Sequence, residues 1–209
     1  MNQSQFQRAA GISAGLAARW FPHLDAAMNE FSITSPLDRA MFIAQCGHES
    51  TSFTQMVESF NYSVAGLAGF VKAKRITQDQ ANTLGRKSYE KVLPIERQRA
   101  IANLVYSNRF GNKTAGDGWK YRGRGIIGIT FLENYIKCGN ALKLDLVSNP
   151  ELLEKDINAA RSAAWFYTLN GCLKYPGDLV RVTQIINGGQ NGIDDRRARF
   201  LKAKSVLVG

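Results

Sequence analysis

The sequence is poor in cysteine and has no long apolar segment. Its three cysteines, Cys46, Cys138 and Cys172, are too few and too scattered for a disulfide framework, and an odd count leaves at least one thiol free. No apolar run approaches the ~18 residues that a membrane-spanning helix needs, and the polar start at Met1 lacks the apolar core of a secretion signal. We therefore expect synthesis in a reducing cytosol and no stable membrane insertion.

Internal repeats, interdomain linkers and metal-ligand motifs are also missing. No period of roughly 20 to 50 residues recurs, and no stretch rich in proline and serine divides the chain. The two histidines, His23 and His48, stand far apart and belong to no metal-ligand motif. We expect a single domain over residues 1–209, optionally with a small helical lobe around 64–110, a monomeric state, no metal and no cofactor.

Positive charge dominates the ionisable residues. Lysine and arginine number 27 against 17 aspartates and glutamates, which gives a net charge of +10. The apolar fraction of 44% and the charged fraction of 21% are those of a folded globular chain. Because the basic residues are spread along the sequence, solvated helix faces are one interpretation. The other is a polyanionic partner such as nucleic acid, a membrane surface or an acidic polymer.

Helix start and stop signals recur along the chain and predict a mainly α fold of about eight to ten helices with little β structure. The start signals are Ser35 with Pro36, the capping-box pairs Thr77 with Gln80 and Thr130 with Glu133, Pro94, and Asp178. The predicted helices with clear ends run over 94–106, 156–170, 178–188 and 194–206.

Two segments lack such signals. The helical period breaks down over residues 53–61, which predicts an extended loop or a small hairpin. Irregular loops are expected over 53–63 and 108–128, and the second contains six glycines, Gly111, Gly116, Gly118, Gly123, Gly125 and Gly128. A long loop so rich in glycine indicates sharp turns or a backbone close to a ligand.

Two glutamates in unlike surroundings are candidates for acid–base chemistry. Glu49 ends the predicted Pro36 helix on its inward face, where burial and the helix dipole disfavour the ionised form, as a general acid requires. Glu58 lies in the polar irregular segment and would stay ionised more easily. A pair separated by about 6.5–9.5 Å predicts hydrolysis with inversion. The alternative is a salt-bridged helix end and an unrelated surface acid.

Four sequence blocks together carry a resemblance to a known family. They are AQCGHES at 44–50, ESFNYS at 58–63, YRGRGIIGIT at 121–130 completed by Asn134-Tyr135, and INGG at 186–189 with GIDDR at 192–196. In this order they resemble glycoside hydrolase family 19, which comprises plant-type chitinases and, more closely, bacteriophage endolysins. The resemblance spans residues 44 to 196 and implies a lysozyme-like, mainly helical α+β fold around a cleft that hydrolyses glycosidic bonds.

The resemblance assigns roles to three candidate catalytic residues. Glu49 matches the general acid that protonates the departing glycosidic oxygen, and Glu58 matches the general base that takes a proton from water. Thr130 matches a hydroxyl that holds this water, since a hydroxyl both donates and accepts hydrogen bonds. The helix start predicted above competes for the same Thr130 oxygen.

The remaining candidates are substrate-binding residues implied by the resemblance. Asn134 and Asn187 match positions that bind the sugar chain or orient the catalytic groups, and Arg124 and Arg196 match positions that tune the site electrostatically. His48 is expected to be a packed or hydrogen-bonded neighbour of Glu49. Gly128 replaces a glutamine that touches substrate in the family, which leaves room for a bulkier sugar. The full set is His48, Asn61, Tyr62, Arg124, Asn134, Tyr135, Asn187 and Arg196.

The substrate is expected to be peptidoglycan. Its glycan shares the β-1,4-linked N-acetylhexosamine backbone of chitin but carries a lactyl-peptide on alternate sugars. The lack of an export signal, of disulfides and of a separate wall-binding module favours a phage endolysin that cuts between N-acetylmuramic acid and N-acetylglucosamine. Such an enzyme is made in the host cytoplasm and reaches the wall through a separate pore-forming protein.

Three alternatives stay open. A chitinase is the closest of them. A basic nucleic-acid-binding protein would explain the charge, but no groove-reading motif or basic-aromatic stripe is present, so no nucleic-acid partner is expected. A zinc amidase would need a ligand set that the two histidines do not provide.

Overall fold

The computed structural model describes all 209 residues as an all-helical molecule without a sheet. The mainly helical prediction is confirmed, with slightly more helices than expected. The helices are α1 (Gln3–Ala10), α2 (Ala14–Glu30), α3 (Pro36–Glu49), α4 (Ala68–Lys72), α5 (Gln78–Leu84), α6 (Ile95–Tyr106), α7 (Asp117–Lys120), α8 (Leu132–Leu142), α9 (Asp156–Leu169), α10 (Leu179–Asn187) and α11 (Ile193–Leu207), with 3-10 turns at Ala65–Leu67, Pro150–Glu154 and Cys172–Lys174.

Most predicted helix boundaries are confirmed because their signals are local. Ser35 accepts a hydrogen bond from the Asp38 amide at 3.1 Å at the start of α3, and Thr77 and Gln80 form the predicted capping box of α5. Asp178 caps α10, which ends at Gly188 in the left-handed conformation. Each cap pairs a side chain with a backbone amide three residues away, so the sequence alone determines it.

The helix α3 lies at the centre of the principal core. Its residues 40 to 47 are all buried, and it packs between α1, α9 and α11. Phe42 meets the ring of Tyr167 on α9 edge-on, with ring centroids 5.4 Å apart. Burial of a side chain such as Phe42 contributes about 1.5–3 kcal/mol, so the C-terminal end of α3 is held rigidly.

Separate cores lie on either side of the glycine-rich loop. One contains Phe60, Leu67 and Ile101 and joins α4, α5 and α6, in the region where the sequence suggests a helical lobe. Another contains Tyr135, Leu153 and Trp165 and joins α8 to α9. Within residues 121–130, Tyr121 and Ile129 belong to the core of Tyr135, and Ile126 belongs to the principal core.

The chain reverses direction immediately after α3. Thr51, Ser52 and Phe53 have φ angles of 50°, 57° and 66°, a left-handed run that costs roughly 1–2 kcal/mol per residue. Burial of the Phe53 side chain against Trp20 offsets this cost. The Trp20 indole also donates a hydrogen bond to the Phe53 carbonyl at 3.0 Å. The reversal sends the following residues back past the end of α3.

Residues 53–61 do not form the hairpin that was one of the two sequence predictions. Instead the segment is extended and pairs with the glycine-rich loop: Val57 forms an antiparallel bridge with Arg124, which in turn bridges Ile129. Gly125 has φ of 78° and its amide bonds the Met56 carbonyl at 2.9 Å. The partner of this segment lies far away in sequence, which is why local patterns did not identify it.

The predicted capping box of Thr130 and Glu133 is wrong. The Thr130 hydroxyl donates to the Gly128 carbonyl at 2.8 Å, and α8 begins two residues later at Leu132. The Leu132 amide is instead bonded by the Asn112 side chain at 3.0 Å. A residue from the distant loop supplies the cap, so Thr130 is left to face the cleft.

Two further observations bear on the sequence expectations. No helix combines the length and the apolar character required to cross a lipid bilayer. All three cysteines are buried free thiols. Burial, followed by the negative charge of Glu49, raises the pKa of Cys46 well above its ordinary value.

Candidate active site

Glu49, Glu58 and Thr130 line one cavity of about 280 Å³. Glu49 stands at the C-terminal end of α3, Glu58 lies in the extended segment, and Thr130 lies just before α8. Glycines 123, 125 and 128 form much of the remaining wall. The structure thus brings the three candidate catalytic residues together, although no two belong to the same element.

Glu58 is fixed by two hydrogen-bond donors. The Tyr106 hydroxyl, at the end of α6, donates to Oε1 at 2.7 Å, and the Gly123 amide donates to Oε2 at 3.0 Å. The Glu58 amide also donates to the Gly123 carbonyl at 2.8 Å. The hydroxyl and the backbone amide both stabilise the negative charge of the carboxylate, as a general base requires.

Tyr106 is a donor throughout the ordinary pH range. Burial, then the charge of Glu58 and the hydrogen bond to it, raise the pKa of Tyr106 far above the usual value for tyrosine. The hydroxyl therefore keeps its proton, and its bond to Glu58 does not reverse with pH.

Gly123 allows Glu58 and Thr130 to approach each other. A β-carbon on Gly123 would lie 3.3 Å from both Glu58 Oε2 and Thr130 Oγ1, which is tighter than ordinary van der Waals contact. The carboxylate and the hydroxyl therefore face the same small space. This is the arrangement in which one water can donate to a carboxylate and bond a hydroxyl.

Glu49 is paired with a buried arginine. Arg196 on α11 is 1% exposed, and one of its Nη atoms lies 2.5 Å from Glu49 Oε1. Glu49 Oε2 makes no hydrogen bond to the protein, and the side chain is 23% exposed. The sequence argument considered burial and the helix dipole at Glu49 but did not include this guanidinium. Oε2 is the oxygen available to a substrate.

Arg196 is itself anchored on all sides. Its Nε donates to the Asn191 carbonyl at 3.1 Å, and its second Nη bonds Gln45, which donates to Thr183 at 3.1 Å. The expected electrostatic role of Arg196 thus has a geometric basis. With almost no exposed surface, Arg196 acts on the site through Glu49.

His48 lies beside Glu49 but interacts with a different partner. Its Nδ1 is 2.6 Å from Asp195 Oδ2, and the same oxygen accepts a bond from Arg199 at 2.7 Å. Burial raises the pKa of Asp195, but the hydrogen bonds from Arg199 and His48 outweigh it and lower the value overall. His48 is therefore next to Glu49 in the chain, and its ring bonds Asp195.

Asn61 and Tyr62 follow Glu58 closely in the chain but do not line its cavity. Asn61 Oδ1 accepts a bond from the Leu93 amide at 2.9 Å and fixes the chain before α6. Tyr62 packs edge-on against Phe60 and Phe70. Burial, and next the charge of Glu58, raise the pKa of Tyr62, which places its hydroxyl within electrostatic reach of the carboxylate.

Arg124 and Tyr135 lie behind the cleft wall, which corrects their expected contact with substrate. Arg124 is 5% exposed and bonds Glu154 at 2.8 Å, while Tyr135 has no exposed surface and donates to the Arg122 carbonyl at 2.7 Å. Arg124 also donates to the Tyr135 hydroxyl at 3.0 Å. Neither side chain has surface to offer a sugar, so both support the loop that carries Gly123.

Asn134 and Asn187 are not among the residues that line the cavity, whereas Gly128 is. Asn134 donates to the Thr130 carbonyl at 2.8 Å and orients that segment. Asn187 ends α10 with its side-chain nitrogen buried and unpartnered. Gly128 is exposed, and a β-carbon there would meet nothing within 4 Å, so the space of the missing glutamine is open.

Sequence reasoning missed Tyr106 and Gly123 as partners of Glu58. In the sequence, Tyr106 has the pattern of an apolar helix position, and Gly123 is one of six glycines in its loop. No local pattern distinguishes either residue, because each acquires its role from a contact 48 or 65 positions away.

The arrangement has the parts of a glycoside hydrolase. Two carboxyl groups on opposite elements line one cleft, one tied to a cation and the other to neutral donors, and a hydroxyl adjoins the second. Such a pair can divide the roles of acid and base between two environments.

The comparisons with known proteins agree with this class. The family model described as chitinase class I matches residues 81–178. A glycosyl hydrolase family 19 domain-containing protein of Haemophilus influenzae is 35% identical over 187 residues, covering 84% of this chain and 87% of that protein. Endochitinase 4 of Solanum tuberosum is 40% identical over 63 residues, covering 30% of this chain and 21% of its own length.

A solved structure shows the same fold. Chitinase C from Streptomyces griseus superposes with a TM-score of 0.60 at 15% identity, covering 99% of this chain and 92% of that one. The identity over nearly the whole length of the Haemophilus protein decides the family. The chain belongs to glycoside hydrolase family 19.

Proposed function

We propose that this family 19 glycosidase is an endolysin that hydrolyses the β-1,4 bonds between N-acetylmuramic acid and N-acetylglucosamine in bacterial peptidoglycan. The observation that carries the catalytic part is the single cavity shared by Glu49, Glu58 and Thr130. The proposal for peptidoglycan rather than chitin depends on charge and on space at the cleft.

The mechanism assigns one step to each side chain. Protonated Glu49 gives its proton from Oε2 to the departing glycosidic oxygen, while Arg196 at Oε1 stabilises the carboxylate that results. Glu58 takes a proton from a water that is also bonded to Thr130. Because Tyr106 and Gly123 occupy fixed positions on Glu58, the base is oriented before substrate binds. The water attacks the face opposite the leaving group, so the anomeric configuration inverts.

Two features favour a peptide-bearing glycan. The net charge of +10 attracts an anionic cell envelope, and the attraction weakens as salt screens it. The open space at Gly128 suits a sugar that carries a lactyl substituent. Chitin offers neither the charge nor the added bulk.

The biological setting belongs to the same proposal. The enzyme would be made in the cytoplasm of a phage-infected bacterium, released to the wall by a separate pore-forming protein, and act there as a monomer to lyse the host. Nucleic acid is not expected as a partner, and a gel-shift titration over a range of salt concentrations tests that expectation directly.

Chitinase activity is the second candidate. It is favoured by the resemblance of the fold to chitinase C and by the short matched region in plant endochitinases. The two candidates share the same catalytic residues and differ only in the sugars bound on either side of the scissile bond.

Product analysis separates the two candidates. Purified peptidoglycan and chitin oligomers are each incubated with enzyme, and the reducing ends are identified by mass. Muramic acid ends in the peptidoglycan digest, with slow or no cleavage of chitin, are the expected result. Glucosamine ends would show that the other glycosidic bond is cut, and efficient cleavage of chitin alone would establish the alternative.

The catalytic assignment has its own test. Glu49→Gln keeps the shape of the side chain and removes the transferable proton, so cleavage of either polymer should fall by at least about a thousandfold, within the 10²–10⁴-fold typical of general acids. An unchanged circular dichroism spectrum and melting temperature would confirm that the variant is folded. Near wild-type activity in the variant would contradict the role of Glu49.

A further inference from the structure

A second cavity of about 410 Å³ is lined by residues within 62–75 and by Arg109 and shares no residue with the catalytic cavity. Tyr62 and Phe70 form its aromatic wall, Gly69 on α4 leaves it open, and Arg75 and Arg109 supply its charge. Nothing in the proposed mechanism uses this cavity, and its only charged wall residues are the two arginines.

Neither arginine has an acidic partner. Arg75 and Arg109 are absent from all nine ion pairs of the molecule, and neither guanidinium donates a side-chain hydrogen bond. Burial, followed by the positive charge of Arg75, lowers the pKa of Arg109. Two like charges that share a wall repel each other, and an anion bound between them would relieve the repulsion.

The cavity adjoins the catalytic base through a chain of aromatic contacts. The Arg109 guanidinium lies 4.8 Å from the centre of the Phe131 ring, and that ring lies 4.8 Å from the ring of Tyr106. Tyr106 donates to Glu58. Three side chains in successive contact, Arg109, Phe131 and Tyr106, thus connect the cavity to Glu58.

We propose that Arg75 and Arg109 bind carboxylate groups of the stem peptide attached to N-acetylmuramic acid, an inference that rests on the proposed function. A guanidinium pairs with a carboxylate through two parallel hydrogen bonds, a geometry that lysine does not reproduce. The rings of Tyr62 and Phe70 offer an apolar surface to the methyl groups of the peptide. Chitin is uncharged and would leave both arginines unpaired.

The test compares one glycan in two forms. Peptidoglycan strands are used with their stem peptides intact and after an amidase has removed them, at about 0.3 M salt so that long-range attraction is screened within less than 8 Å. The variant Arg75→Gln/Arg109→Gln removes the proposed contacts. Lys72→Gln/Lys137→Gln is the matched control, because both lysines are exposed and this double variant also removes two charges outside the cavity.

We expect the arginine variant to lower kcat/KM on intact strands by about 10- to 100-fold, since a hydrogen bond to a charged group accounts for about tenfold or more. On stripped strands it should stay within twofold of wild type, and the lysine control should stay within twofold on both. An equal loss on both strands, or no loss on either, would overturn the inference.

Binding separates this inference from the proposed function. Calorimetric titration with an N-acetylmuramyl tetrapeptide should give a Kd at least tenfold weaker for the arginine variant. Gly69→Leu should weaken binding similarly by filling the cavity, because a β-carbon at Gly69 meets no atom within 4 Å and the helix tolerates it.

These experiments can reject the anion site and the proposed function separately. If wild type binds the muramyl peptide through these arginines but cleaves no peptidoglycan, the anion site stands and the proposed function fails. If wild type cleaves intact and stripped strands with equal efficiency and binds no muramyl peptide, the site fails and the glycosidase function stands.

Discussion

Replacing Tyr106 with phenylalanine tests how Glu58 is held. The substitution removes one hydroxyl and keeps the ring that packs on Phe60 and Phe131 at centroid distances of 5.5 Å and 4.8 Å. The hydrogen bond lost is 2.7 Å long and charge-assisted. After the substitution, Glu58 keeps only the Gly123 amide as a donor, and the Oε1 atom is free to rotate away from the attacking water.

The magnitude follows from two opposing contributions. A hydrogen bond to a charged group is worth about 1.5–3 kcal/mol, which corresponds to about 10- to 150-fold in rate if all of it is lost in the transition state. Glu58 loses negative charge as it takes the proton, however, so part of this bond weakens in the wild-type reaction as well. We therefore expect kcat to fall about tenfold with KM nearly unchanged.

The assay is steady-state hydrolysis of a soluble glycan substrate, with Tyr167→Phe as the control. Tyr167 is buried on α9 in the principal core, whereas Tyr106 is half-buried, so the control removes a hydroxyl at least as well shielded from solvent that does not contact Glu58. It should leave kcat within twofold. A Tyr106→Phe enzyme with wild-type kcat would refute the claim that this hydroxyl positions the base, and a large rise in KM alone would mean that it binds sugar instead.

Three further predictions concern the same site and the core. Glu58→Ala should reduce hydrolysis severely, and NMR of the product released by the wild-type enzyme should show inverted anomeric configuration; a retained configuration in that product would mean that Glu58 is a nucleophile. Gly123→Ala should lower kcat about tenfold or more with only a small change in melting temperature. The added carbon lies 3.3 Å from both Glu58 and Thr130 and displaces groups that require sub-ångström placement. An unchanged kcat would refute the proposal that these two groups share one water. Burial raises the pKa of Tyr106 and Tyr167 well above the ordinary tyrosine value of about 10, so the unfolded chain loses these protons first. The contribution of these two tyrosines to stability should therefore be constant below about pH 10 and decline above it; tyrosinate absorbance that develops fully while circular dichroism still reports a folded chain would contradict this.

Family and general fold were accessible from the sequence because their signals are short-range or consist of residue identity. Capping pairs such as Thr77 with Gln80 operate over three residues, and the apolar spacing of α3 and α9 repeats every turn. The two glutamates were likewise identifiable, since Glu49 ends a helix on its inward face and Glu58 follows in a polar segment.

The sequence predictions that were wrong concern contacts between residues that lie far apart in the chain. Thr130 has the sequence signature of a helix cap, yet Asn112 takes that place. Arg124 and Tyr135 match substrate-binding motifs, but burial turns them toward Glu154 and the Arg122 carbonyl. In each case the hydrogen-bond partner lies 13 or more positions away in the chain, and local patterns contain no information about it.

By itself, then, the sequence determined which helices form and which carboxyl groups are available. Only the tertiary structure decided what each carboxyl group contacts. Glu49 meets Arg196 across 147 positions, and Glu58 meets Tyr106 and Gly123 across 48 and 65. The physical reason is that helix caps and turns are satisfied by neighbours along the backbone, whereas the charge of a buried carboxylate must be stabilised by whichever donors the packed cores bring against it.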